Sequence, residues 1–100
     1  MTTRQEQIMI HLFGQLQRGD EYVMPYQTTQ DGIAEAVGIS RAHVSIEMKR
    51  LETKGLVTYL RRHVYADGLR SKGTRKCYLL EARGVLAALD LIKGTEGVIE

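Results

Sequence analysis

The chain has one cysteine, one proline, three histidines and no apolar run near the ~18–20 residues that carry a helix across a bilayer. A lone Cys77 excludes an internal disulfide and fits a reducing compartment. His11, His43 and His63 are scattered, and Cys77 has no ligand neighbour in sequence, so no zinc site is expected. No Ser/His/Asp set, phosphate-cradling glycine loop or paired carboxylates stand out. Gly94-x-x-Gly97 lacks the lysine and the preceding strand of a P-loop. These absences argue against an enzyme and against any cofactor. The segment from Met1 to Met9 carries Arg4 and Glu6 among polar residues and does not read as a signal peptide. With no repeats and no low-complexity linker, 100 residues are expected to form one small cytoplasmic domain with no membrane segment.

What the chain does have is charge of one sign in one place. Residues 41–76 hold ten basic side chains (Arg41, Lys49, Arg50, Lys54, Arg61, Arg62, Arg70, Lys72, Arg75 and Lys76) against Glu47, Glu52 and Asp67. The segments on either side are both net acidic, so the modest overall charge of +2 conceals a basic centre. A block of this kind is either a footprint for a polyanion or a solvated basic loop. Charge alone does not separate the two.

The apolar spacing supplies a fold. Ile8, Met9, Leu12, Phe13 and Leu16 recur at the helical period, predicting a helix over residues 3–17 that Gly19-Asp20 stops. Tyr22 to Gln27 contains Pro25 and admits at most a brief edge strand. Thr29 is placed to cap a helix over 30–37 that buries Ile33, Ala34 and Val37, with Gly38 as its left-handed stop. Ser40 caps the next helix, 41–54, whose apolar stripe is Val44, Met48 and Leu51 and whose end is Gly55. From Leu56 the period changes to that of a strand, with a possible continuation through Val64 and Tyr65. Ala66 to Thr74 reads as a loop and Arg75 to Leu80 as the returning strand, together a hairpin with a long basic tip. A last helix over 82–93 is expected to bury Val85, Leu86, Leu89 and Ile92, leaving 94–100 as a tail or the start of a linker.

Two short helices around a tight turn, with Ala34, Gly38 and Val44 in the order A-x3-G-x5-V, make a helix-turn-helix. Ala34 is small where the second helix crosses, Gly38 makes the turn, and Val44 fills the angle between the helices. The stretch from Thr29 to Ser45 resembles the helix-turn-helix of prokaryotic winged-helix regulators, the group that includes MarR-like and ArsR-like repressors. Lys49 to Val57 is similar to their passage from recognition helix to wing, and Tyr78 to Gly84 to the joint before a final helix. The resemblance, over roughly residues 5–92, implies a mainly α, α+β winged helix-turn-helix: a three-helix core, a β-hairpin wing and a C-terminal helix. It also implies a recognition helix in the major groove of duplex DNA. Two features depart from the pattern. Ile46 stands where such regulators often have a polar residue, and the wing between Arg62 and Lys76 is long, either for deeper contact or as a loose tip.

On this reading residues 1–93 form a DNA-binding domain of a transcriptional regulator. Ser40, Arg41, His43 and Ser45, near the start of the recognition helix, are the candidates for base contact, and Ile46 for a thymine methyl. Ser40 has the alternative of capping only. Lys49, Arg50 and Lys54 are placed for phosphate, although Arg50 has Glu47 and Glu52 within pairing distance in sequence. Arg61, Arg62, Arg70, Lys72, Arg75 and Lys76 form the second contact set, on the backbone or in the minor groove. Ile10, Leu91 and Val98 have no evident place inside one subunit, which points to a homodimer through the first and last helices. A further domain after residue 100 would fit the small size. The competing reading is a winged-helix module for protein–protein contact, with structured RNA a third possibility.

Overall fold

Thr3 and Glu6 close a capping box at the start of α1 (Arg4–Gly14). The Glu6 N–H donates to the Thr3 hydroxyl at 3.1 Å, and the Thr3 N–H donates to the Glu6 carboxylate at 2.7 Å. The hydrogen bond from the Thr3 backbone, seconded by its hydroxyl, holds the Glu6 carboxyl below its ordinary range. The structure, a computed structural model, describes residues 3–15 and 23–96. Within them α1 ends at Gly14, earlier than the spacing predicts, while Leu16 and the expected stop at Gly19-Asp20 lie outside the described residues.

Both expected caps are in place. The Thr29 hydroxyl accepts from the Gly32 N–H at 3.1 Å at the head of α2 (Gln30–Val37), and Gly38 closes the helix at φ +77°. The Ser40 hydroxyl accepts from the His43 N–H at 3.1 Å at the head of α3 (Arg41–Thr53). Ile8, Met9 and Leu12 of α1, Ile33 of α2, and Val44, Met48 and Leu51 of α3 meet in one core, with Phe13, Ala34 and Val37 packed on it. Each fully buried aliphatic chain contributes on the order of 1.5–3 kcal/mol. That core fixes the angle between α2 and α3.

After Gly55 the chain turns into β2 (Val57–Ala66), the strand that all others join. Short β1 (Val23–Pro25) runs parallel to it at the edge, from Val23 opposite His63 to Pro25 opposite Tyr65. The edge position is the one that a proline tolerates. β4 (Arg75–Leu80) is antiparallel to β2, from Val57 opposite Leu80 to Arg62 opposite Arg75. Val57 and Tyr78 face the helical core, while Met24, Val64 and Cys77 make a second, smaller cluster on the sheet. Burial pushes the Cys77 thiol up, away from its reactive thiolate form.

Two expectations are corrected here. The segment 66–74 is not an open loop: β2 runs on to Ala66, Asp67 and Gly68 turn the chain at φ 53° and 77°, and β3 (Leu69–Arg70) pairs back on Tyr65 and Ala66. An Asp-Gly pair with both φ positive is the two-residue turn that suits the strand twist. Ser71 then ties down the return, its N–H donating to the Val64 carbonyl at 2.8 Å and its hydroxyl accepting from the Val64 N–H at 3.0 Å. The second correction concerns α4 (Ala82–Glu96), which runs past the expected end at Lys93. Its buried face is small, Gly84 and Ala88 with Ala87 beside them, because the helix lies against the backbone at Leu56. Leu86, expected inside, is 65% exposed, and Val85, Leu89 and Ile92 are half-buried. Among the described residues no helix is long and apolar enough to cross a membrane.

Candidate nucleic-acid interface

Because α3 buries Val44, Glu47, Met48 and Leu51, its 3.6-residue period turns Ala42, Ile46, Lys49 and Thr53 outward. Ile46 is 53% exposed. Ser45 lies on the flank facing the wing, where it lines a small cleft with Lys49, Glu52, Lys76 and Tyr78. His43 and Arg50 lie on the other flank, on either side of Glu47. The Glu47 carboxylate is buried and accepts from Arg50 Nη1 at 2.9 Å, with His43 Nε2 4.0 Å away. Of the two partners open to Arg50 in the sequence, the structure selects Glu47. A buried carboxylate on the recognition helix is a residue that sequence reasoning missed. Its place one turn after Val44, in the buried stripe, was the available signal.

The register of β2 on β4 sets cation against cation. Arg61 stands opposite Lys76, and Arg62 opposite Arg75. Like charges directly across a strand pair repel. The ammonium of Lys76 is moderated by Tyr59, 4.1 Å from the ring centroid, and lies 5.8 Å from that of Tyr78. Tyr59 and Tyr78 meet edge to face, and the Tyr78 hydroxyl accepts from Gln30 Nε2 at 3.0 Å. Tyr78 is thus core at one end and part of the wing base at the other.

Arg41, Arg61, Arg75 and Lys76 line one cleft with Thr29, Gln30, Asp31 and Thr74. It lies where the start of α3 meets the base of the wing. Arg41 Nε donates to Gln30 Oε1 at 3.3 Å and lies 3.6 Å from Asp31 Oδ1, while Arg75 Nη1 lies 3.6 Å from Asp31 Oδ2. Of the fourteen candidate residues, twelve are exposed, and Arg62 and Lys76 are half-buried. The structure brings together Arg41, Arg61, Arg75 and Lys76 in this cleft, and Ser45, Lys49 and Lys76 in the next. Arg70 and Lys72, beyond the turn of the hairpin, line neither.

Among known proteins, the profile of the Crp-like helix-turn-helix domain matches residues 7–70. The Staphylococcus aureus MepR–DNA complex has the same fold at TM-score 0.69 and 23% identity, covering 100% of this chain and 68% of that one. The zinc-responsive MarR family member ZitR of Lactococcus lactis gives TM-score 0.67 at 21% identity, over 99% of this chain and 56% of its own. A further S. aureus structure, of MepR as transcription regulator of the multidrug efflux pump MepA, gives 0.61 at 24% identity, over 99% and 63%. At such identities the likeness is one of fold, and it bears out the winged helix read from Thr29 to Gly84. No curated protein matches the chain.

Proposed function

The chain belongs to the family of Crp-like helix-turn-helix domains, and from that premise we propose that it binds double-stranded DNA with sequence preference, as a transcription regulator or the DNA-binding part of one. The observation that carries this reading is the cleft where Arg41, Arg61, Arg75 and Lys76 converge, joining the recognition helix to the wing in one cationic surface. α3 enters the major groove, which has the width for a helix. Ser40, Arg41, His43 and Ser45 read base edges there, Arg41 also reaching an adjacent phosphate with its remaining donors, and Ile46 packs on a thymine methyl. Lys49 and Arg50 meet phosphate, as do the wing cations Arg61, Arg62, Arg70, Lys72, Arg75 and Lys76, with one arginine reaching the minor groove. The protein works in the cytoplasm as a homodimer, each copy reading one half-site.

The test is duplex binding against salt. The affinity for a random duplex is expected to fall linearly on a log–log scale, with a slope of about 0.9 per phosphate neutralised. Selection from a random duplex pool is expected to return a two-fold symmetric site. Affinity that ignores salt would sink the phosphate contacts and favour a protein-binding winged helix in their place.

A further inference from the structure

Among the described residues, Asp31 is the one acidic residue lining a cleft with four cations, and its two carboxylate oxygens address two of them separately. Oδ1 faces Arg41 at the start of the recognition helix, and Oδ2 faces Arg75 on the wing strand, each at 3.6 Å. Both distances exceed those of a tight charge-assisted hydrogen bond, ~2.7–2.9 Å. The carboxylate is one-third exposed and the two arginine side chains are 65% and 53% exposed, so all three groups stay open to an incoming ligand. Two guanidinium groups converging on one anion, with Arg61 and Lys76 beside them, is the arrangement that a backbone phosphate would also fill. A phosphate offers more acceptor oxygens than a carboxylate and suits the planar fork of arginine.

We propose that Asp31 is an internal competitor for a DNA phosphate, a positioning residue that holds Arg41 and Arg75 in the free protein and yields them when duplex binds. The role rests on the DNA-binding reading and adds a consequence to it. A random duplex must displace the carboxylate for the sake of phosphate contact alone. A preferred site offsets the same cost with base contacts by α3. The cost is common to both, so Asp31 lowers affinity for all duplexes by about the same factor and leaves the ratio between the preferred site and the rest unchanged. Its place in the first turn of α2, which carries Gln30 toward Arg41 and Tyr78, keeps the carboxylate fixed relative to both partners.

The experiment compares the full chain with its Asp31→Asn variant on a random-sequence duplex across a salt series. The exchange preserves shape, and thermal unfolding of both proteins reports whether the fold is kept. Two exposed ion pairs of ordinary strength correspond to roughly a 3- to 10-fold rise in affinity for Asp31→Asn. The salt slope is expected to steepen by about 1, a change that a merely structural role would not produce. In an Arg41→Gln, Arg75→Gln background the same exchange is expected to have a much smaller effect, because the two cations it frees are gone and only the relief of charge repulsion toward phosphate remains. Wild-type binding that depends on salt, with affinity and slope unchanged or reduced in Asp31→Asn, would overturn the competitor role alone. A wild-type chain with no salt-dependent duplex binding would overturn the DNA reading and this role with it.

Discussion

A methyl group at Gly32 has nowhere to go. It would meet the carbonyl oxygen of Tyr26 and the Cα of Gln27, both backbone atoms of the short turn that precedes α2. Gly84 is confined in the same way by the carbonyl oxygen of Leu56. Neither glycine has positive φ, so the demand is for space rather than for backbone freedom. Gly94 is the contrast, inside α4 with nothing within 4 Å of the added atom. Alanine at Gly32 or Gly84 is expected to destabilise the domain by about 1–3 kcal/mol, the range for forcing atoms into a packed site. Alanine at Gly94 is expected to stabilise it by about 0.5–1 kcal/mol, through helix propensity alone. Urea unfolding of the three variants checks the set, and equal effects at all three positions would contradict the packing described for Gly32 and Gly84.

Within the elements, the phosphate contact proposed for Arg61 is set against stability, since Arg61 faces Lys76 across the strands. Arg61→Thr relieves one like-charged pair and introduces a residue suited to a strand. It is expected to raise stability by a few tenths of a kcal/mol while weakening all duplexes alike and lowering the salt slope by about 1. His43→Ala, on α3, is expected instead to change which sequence is preferred at a nearly constant slope. Binding isotherms on selected and random duplexes, at two salt concentrations, distinguish these outcomes. The same elements show what a sequence discloses. Thr29, Gly38 and Ser40 were readable because caps depend on a few neighbouring residues, and the ten basic residues of 41–76 were readable as charge. Asp67-Gly68 was equally local, but a two-residue β3 has no periodicity to announce it, and two glycines among polar residues resemble a loop. The buried face of α4 was misread because large aliphatic residues usually mark the core, whereas close approach to Leu56 selects Gly84 and Ala88. The bridge from Arg41 through Asp31 to Arg75 was beyond reach, since it depends on where three distant segments meet.

At the scale of the whole molecule, the misread helix supplies the argument for a second copy. α4 packs its small face on α1 and the core, and turns Leu86 outward at 65% exposure with Leu89 on the same side. Val85 and Ile92, half-buried, flank them at helical spacing, so an apolar stripe follows a helix that is roughly 22 Å long. A stripe of one kind on one helix is self-complementary under a two-fold axis, which lets the same face meet itself. Pairing of this kind would leave α3 and the wing free in both subunits, since those elements make their cleft on the start of α2. The full chain is expected to sediment as a dimer at tens of micromolar, and Leu86→Glu as a monomer with an unchanged far-ultraviolet spectrum. That variant is expected to bind a single half-site as well as the wild type does, but to lose the gain from a second half-site placed one helical turn, ~34–36 Å, away. A wild-type monomer at that concentration would remove the dimer. A wild-type dimer that Leu86→Glu leaves intact would move the interface away from this stripe, to α1 or to another face.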